Sequence, residues 1–161
     1  MKPLLTLRTG GQTGVDRAVL DVALRCGVPV GGWCPRGRRA EDGPLPGRYP
    51  LQETPSDDYA QRTDWNVRDS EATLILARLP LTGGTALTAA RAKAWGRPYR
   101  VVDPADLVQA EAVWAWLHAH RLQVLNVAGP RETTVPGSYA AAKRFLERML
   151  GRKCGGMERL A

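Results

Sequence analysis

Cysteine and histidine are scarce in this chain of 161 residues, with three and two copies, and this limits the chemistry that it can support. The number of cysteines is odd, and the spacing of Cys26, Cys34 and Cys154 fits no zinc motif. This pattern predicts reduced thiols and no structural metal site. His118 and His120 lie near the end of a predicted helix, where histidines commonly interact with the helix dipole. No serine or cysteine has an evident histidine partner, so the sequence predicts no nucleophile–base pair.

Long apolar runs are also missing. No stretch approaches the roughly 20 residues that cross a bilayer, and the first residues form too short an apolar run for a signal peptide. Hydrophobic residues make up 43% of the chain and charged residues 24%, as in globular proteins. We therefore predict a cytoplasmic protein with one domain over residues 1–150, a flexible basic tail over 151–161 and no membrane partner.

Basic residues exceed acidic ones, 23 to 16, and the formal net charge is +7. Such a charge is compatible with an anionic small ligand or with nucleic acid, whose binding would weaken steeply with salt. The basic residues are spread along the chain and are not interleaved with aromatic side chains, which disfavours single-strand nucleic-acid binding. We therefore expect a small, phosphorylated anionic ligand.

Short apolar runs alternate with segments of helical periodicity along the chain. The predicted strands are 4–8, 28–31, 72–77, 99–102 and 122–127. The predicted helices are 15–26, 57–69, 82–95, 103–120 and 138–150. This alternation is typical of a parallel sheet covered on both faces. The sequence thus predicts an α/β, Rossmann-like doubly wound fold, with a mainly parallel sheet of about five or more strands and helices on both faces.

Residues 33–58 break this alternation. Five of the chain's twelve prolines lie there, and an irregular connection of that length in a small domain is usually functional or disordered. A short strand over 49–53 is predicted within it. Its arginines, beside Glu41 and Asp42, are either ligand contacts or an exposed charge cluster. Cys34 is either a reactive thiol or soft metal ligand, or simply a buried thiol.

Three strand-to-helix loops are rich in glycine, threonine or proline: 10–14, 82–85 and 126–131. In a parallel sheet these loops meet at the carboxyl edge of the strands, where ligands bind. Glycines at a helix N-terminus allow an anion to approach free N–H groups. Loop 10–14 has neither the lysine of an ATPase loop nor the GxGxxG spacing of a dinucleotide site, and a tight turn is the alternative interpretation. We predict a phosphate site at this edge.

The candidate residues come from these loops, from the loop after the second predicted strand, and from one face of the helix over 57–69, where Arg62, Asn66 and Asp69 align. Asp16 is a further candidate acid or base, with a capping box formed with Thr13 as the alternative role. The predicted ligand- and phosphate-binding residues are Gly10, Gly11, Gln12, Thr13, Gly14, Asp16, Trp33, Arg36, Gly37, Arg38, Asn66, Thr82, Gly83, Gly84, Thr85, Gly129 and Arg131.

Several of these segments occur in an order that resembles one family. Segments 10–17, 31–43, 63–70, 81–85 and 126–132 are similar to the molybdenum-cofactor carrier proteins, within the larger group of lonely-guy phosphoribohydrolases and lysine-decarboxylase-like proteins. The resemblance spans about residues 4–150. It implies a Rossmann-like subunit, commonly tetrameric, that binds molybdenum cofactor (molybdopterin, a pterin with a terminal phosphate), and we expect a homo-oligomer, a dimer or a tetramer. It also implies storage or protection of that cofactor, with molybdoenzymes as recipients.

One position departs from the phosphoribohydrolases. Their Pro-Gly-Gly-x-Gly-Thr-x-x-Glu motif carries a catalytic glutamate, whereas residues 81–88 read Leu-Thr-Gly-Gly-Thr-Ala-Leu-Thr. The motif keeps Gly84 and Thr85 but has Thr88 at the position of the glutamate. This difference favours a non-catalytic carrier. The alternative is a nucleotide or nucleotide-derivative binding protein or hydrolase, with Asp16, Glu41 or Asp42 as acid or base.

Overall fold

A five-stranded parallel sheet lies at the centre of the structure, a computed structural model that describes residues 5–158 and the side chains through residue 151. In chain order its strands are β1 (Thr6–Arg8), β2 (Val30–Gly31), β5 (Ala72–Leu76), β6 (Tyr99–Val102) and β7 (Val124–Ala128). The spatial order is β2-β1-β7-β5-β6, so β7 occupies the central position. A separate parallel pair is formed by β3 (Trp33–Cys34) and β4 (Gln52–Glu53).

Helices cover both faces of this sheet. They are α1 (Val15–Cys26), α2 (Tyr59–Arg68), α3 (Gly83–Ala94), α4 (Val108–Ala119) and α5 (Ser138–Glu158). Leu74 and Leu76 of β5 belong to the main core with α1, α4 and α5, whereas Ile75 packs with Ala89 of α3. This alternation along one strand places apolar side chains on both faces. The predicted doubly wound, Rossmann-like fold is confirmed.

The start of one helix and the cap of another differ from the prediction. Helix α4 begins at Val108 and not at Asp103, because Asp103 instead accepts a hydrogen bond from Ala105 in a preceding turn. Helix α1 has Gly14 at its N-cap without a side-chain cap, so the predicted capping box is wrong. The hydroxyl of Thr13 donates to Glu41, and the carboxylate of Asp16 accepts from the backbone of Gln12.

The irregular segment before α2 is ordered by one arginine. The guanidinium of Arg38 donates to four backbone carbonyls, those of Leu45, Pro46, Tyr49 and Leu51, at 2.8–3.1 Å. Three of these residues, Leu45, Tyr49 and Leu51, also pack against α1 in a second apolar cluster. The short strand predicted within the segment corresponds to β4, which is confined to Gln52–Glu53.

Two of the three cysteines can be compared with the prediction of reduced thiols. Cys34 is a free, buried thiol, whereas Cys26 is disulfide-bonded, which makes the prediction wrong for Cys26. Three cysteines allow one pair, and spacing does not reveal which residues meet.

Of the predicted tail, residues 151–161, the structure describes the backbone of 151–158. Its backbone as far as Glu158 continues α5, beyond the predicted end of that helix at residue 150. Within the described range, no helix is long and apolar enough to span a membrane.

Candidate functional site

A cavity of about 660 Å³ lies at the carboxyl edge of the sheet. Its wall is formed by the loops after β1, β5, β6 and β7, together with one face of α2 and the first turns of α3 and α5. This volume is within the range of pockets that hold small ligands and cofactors. The cavity therefore lies where the loop chemistry predicted a ligand site.

A buried ion pair lies beside the first loop. Oδ2 of Asp16 is 3.0 Å from Nη1 of Arg62, and the two side chains are only 7% and 11% exposed. Gly10 makes room for this pair, since a Cβ there would lie 1.7 Å from Nη1 of Arg62. Burial raises the pKa of the Asp16 carboxyl above its ordinary value, and the guanidinium of Arg62 opposes that shift.

The side chain of Gln12 links this loop to the irregular segment. Its Oε1 accepts hydrogen bonds from the backbone N–H groups of Thr13 and Glu41, at 3.1 and 2.9 Å. Gln12 is 5% exposed and lines the cavity. Two backbone donors on one oxygen hold the amide group in place.

Glu41 connects three loops without lining the cavity. Its carboxylate accepts from the hydroxyls of Thr13 and Thr133, and Oε2 lies 3.7 Å from Nη1 of Arg131. Burial works against ionisation, but these hydrogen bonds hold the pKa of Glu41 below its usual value. Arg131 pairs with Glu41 only at this longer distance, and its guanidinium lies 5.2 Å from the centre of the Tyr59 ring, so its N–H groups remain available to another anion.

The second glycine loop brings the start of α3 to the cavity. Residues 82–85 all line it, and Thr82 at the N-cap makes no side-chain capping bond. The first N–H groups of α3 are therefore unsatisfied by the helix itself and carry its partial positive charge. Thr88 also lines the cavity, but its hydroxyl donates to the carbonyl of Gly84 at 2.9 Å. The position of the hydrolase glutamate thus holds no titratable group.

Arginines give the cavity a positive balance. Its lining includes four arginines and two aspartates, an excess of two positive charges: Arg62, Arg78, Arg131, Arg144, Asp16 and Asp103. Arg62 pairs with Asp16, and Arg78 pairs with Asp103 at 3.0 Å. Arg144 has no ion-pair partner in the part of the chain that the structure describes. Arg131 and Arg144 are thus the cationic side chains most available to an anion.

The predicted binding residues divide into two groups. Those that line the cavity are Gly10, Gln12, Asp16, Asn66, Thr82, Gly83, Gly84, Thr85, Gly129 and Arg131. Those that do not line it are Gly11, Thr13, Gly14, Trp33, Arg36, Gly37 and Arg38. Further lining residues that the prediction did not include as binding residues are Arg62, Arg78, Thr88, Asn126 and Arg144.

Most members of the second group have structural contacts. Trp33 packs edge-on against Trp65, with ring centroids 4.8 Å apart, and its indole N–H donates to Asp69. The guanidinium of Arg38 is used by backbone carbonyls, and Arg36 is exposed.

Potential metal ligands are scattered over the part of the chain that the structure describes. Within the described residues, no group of three or more histidine, cysteine, aspartate or glutamate side chains could hold a metal ion. Burial raises the pKa of the Cys34 thiol, so it is not activated as a thiolate. His118 lies outside the cavity and contacts Trp114.

Comparison with known proteins shows the family of this chain. A model of the circularly permutated YpsA SLOG family matches residues 7–150. The crystal structure of a protein from Syntrophus aciditrophicus, named "Putative molybdenum carrier protein", is 43% identical and superposes with a TM-score of 0.88. That similarity covers 93% of this chain and 98% of the other, which confirms the predicted resemblance. No curated protein matches the chain. The chain belongs to the circularly permutated YpsA SLOG family.

Proposed function

We propose that this protein binds molybdenum cofactor in the carboxyl-edge cavity and carries it in a protected form. The observation that carries the proposal is the positive balance of a cavity whose wall includes the free N–H groups at the start of α3. The cofactor is a pterin with a terminal phosphate, and both features match the cavity: its volume suits a bicyclic ring system, and its arginines suit a phosphate. The name of the crystallised relative, "Putative molybdenum carrier protein", supports a molybdenum-related ligand.

Cofactor retention tests this proposal directly. We expect the purified protein, incubated anaerobically with cofactor released from a molybdoenzyme, to retain it through gel filtration and to slow its oxidative loss in air. Replacing Arg131 with glutamine should weaken retention roughly 10-fold, because a charge-assisted hydrogen bond contributes about 1.5–3 kcal/mol. Arg36→Gln is the matched control, since Arg36 is exposed and does not line the cavity.

One result would exclude the carrier function. If the protein does not retain the cofactor but binds nucleotides tightly, the carrier function is excluded.

The proposal also includes one domain over residues 1–150, a homo-oligomer (dimer or tetramer), a cytoplasmic location and delivery to molybdoenzymes, none of which the retention assay measures. Native mass spectrometry of the freshly purified protein addresses the oligomer and any co-purified ligand together.

Asp16 favours a second candidate, a hydrolase of nucleotide-like compounds. It is the buried carboxylate of the cavity, and burial raises its pKa toward the range useful for proton transfer. The other two candidate acids are less suited. Asp42 pairs with Arg17 at 2.9 Å, and this hydrogen bond lowers its pKa, while Glu41 is occupied by hydroxyl groups.

Release of free base from nucleoside monophosphates, followed by chromatography, measures this activity. If the activity exists, Asp16→Asn should lower its rate by ~100-fold or more, the effect expected from removing a general acid or base. Asp42→Asn should leave the rate within about 2-fold, because Asp42 lies outside the cavity. An activity that survives Asp16→Asn would exclude this role for Asp16.

A further inference from the structure

Gln12, Asp16 and Arg62 lie together in the cavity wall, and we call these three residues the floor. All three line the cavity and all three are buried, with 5%, 5% and 9% of their surface exposed. They come from the first loop, α1 and α2, so the fold itself brings them together. Loss of solvent around three polar side chains is costly unless each polar group has a partner.

Two floor nitrogens have no such partner. Nε2 of Gln12 and Nε of Arg62 are buried and make no hydrogen bond to any described residue. Native proteins satisfy nearly all buried donors, and an exception commonly marks a bound water or a ligand.

The orientation of the Gln12 amide follows from its other contacts. Its oxygen accepts from two backbone N–H groups, those of Thr13 and Glu41, and only an oxygen can do so. The nitrogen must therefore be the atom without a partner. The floor thus has a surplus of donors and needs a ligand with acceptor atoms.

Charge distinguishes the floor from the more exposed part of the cavity wall. Asp16 and Arg62 neutralise one another at 3.0 Å, so the floor carries no net charge. Arg131, Arg144 and the start of α3, which we call the rim, are positive and weakly paired. A doubly negative phosphate is better stabilised at the rim, whereas an uncharged ring with carbonyl and ring-nitrogen acceptors is better suited to the floor.

We propose that the floor recognises the uncharged heterocycle of the ligand through Gln12 and Arg62, and that the phosphate lies at the rim. This inference rests on the proposed function and adds an orientation to it: the ring enters first and the phosphate faces outward. Gln12 becomes a specificity-determining residue, since its amide donor selects for a ring acceptor. Arg144 contributes affinity only for the phosphate.

A pair of fluorescent probes tests this orientation: 6-hydroxymethylpterin and its phosphate ester, titrated against the whole protein by fluorescence quenching. We expect Gln12→Met to weaken both probes by ~10-fold, the scale of one lost hydrogen bond in a buried site. The affinity ratio between the two probes should then stay unchanged. Arg144→Gln should leave the plain pterin unaffected and bring that ratio closer to one.

A second variant separates recognition from folding. Gln12→Glu keeps an oxygen for the N–H groups of Thr13 and Glu41 but removes the amide donor. It should also weaken the plain pterin, and circular dichroism at the titration temperature shows whether the variant is folded. If both Gln12 variants bind the plain pterin as the wild type does, the floor serves only an ordered water and the inference is wrong. A Gln12 effect confined to the phosphorylated probe would also overturn it.

The pterin ligand of the proposed function can be tested separately from the role of the floor. If the wild type binds neither pterin, the same comparison with guanosine and its 5′-monophosphate shows whether the floor recognises a heterocycle of another class. A Gln12→Met effect on guanosine alone would keep the floor assignment and remove the pterin ligand. Absence of binding in both series would overturn both.

Discussion

Replacing Arg62 with methionine should lower the free energy of unfolding at pH 7 by about 3–5 kcal/mol, the usual cost of an unpaired buried charge. Methionine fills most of the volume of the side chain but leaves Asp16 without its counter-charge in a site where that carboxyl is 7% exposed. Urea denaturation measures the loss. The matched control is Arg78→Met, which breaks the Arg78–Asp103 pair on a side chain that is 76% exposed and should cost about 0–1 kcal/mol.

The loss should depend on pH in a defined direction. Burial raises the folded-state pKa of Asp16, and removing Arg62 raises it further. A carboxyl with a raised pKa binds a proton more tightly when folded, so its contribution to stability is complete below the unfolded pKa and is lost as pH rises through the folded pKa. The difference between wild type and Arg62→Met should therefore be smallest below about pH 4.

A double variant completes this test. Asp16→Asn removes the stranded charge, so Asp16→Asn with Arg62→Met should recover most of the stability lost by Arg62→Met alone. Equal losses for Arg62→Met and Arg78→Met would show that burial of the pair has no energetic importance.

A second large effect is expected at Gly129. A Cβ at this position would lie 2.5 Å from Cγ2 of Val15 and 2.6 Å from the backbone oxygen of Leu76. The β5 backbone is held by hydrogen bonds to strands on both sides, so it cannot move away cheaply. Gly129→Ala should therefore lower the free energy of unfolding by about 3 kcal/mol, the upper end of overpacking costs.

Gly84 is the matched control for Gly129. It also lines the cavity, but it lies in α3 and a Cβ there would meet no atom within 4 Å. Gly84→Ala should be neutral or should stabilise the protein by about 0.5–1 kcal/mol, since alanine is the better helix former. Thermal unfolding compares the two variants, and a similar loss in both would contradict close packing at Gly129.

The hydrophobic periodicity of the sequence predicted the fold because the burial of apolar residues determines both. The continuous apolar run at β5 and the stripe of Val15, Val19 and Val22 on α1 are direct consequences of packing on a sheet. The prediction of side-chain contacts failed where one side chain could make either of two hydrogen bonds. The carboxylate of Asp16 could cap its own helix or bind a side chain from elsewhere, and the partner is Arg62, 46 residues away.

Residues that line the cavity were predicted well where loops follow strands and less well elsewhere. Residues 82–85, Gly129 and Arg131 line the cavity, as the carboxyl-edge rule predicts, because they follow strands that end at this edge of the sheet. Arg38 was predicted as a ligand contact, yet it binds backbone carbonyls. A guanidinium donates equally well to a phosphate and to a carbonyl, and only the tertiary structure shows which acceptor is within reach.

The central place of β7 has a consequence for how the protein is made. During synthesis β1 and β5 emerge long before β7, although β7 is the strand that joins them. Until β7 inserts, each of those strands has an edge with unpaired backbone groups, which can pair with another chain. The wall of the cavity is also incomplete until then, because Asn126, Gly129 and Arg131 arrive with β7 and the loop that follows it. A nascent chain should therefore acquire ligand affinity late and in a single step, after most of its length has left the ribosome.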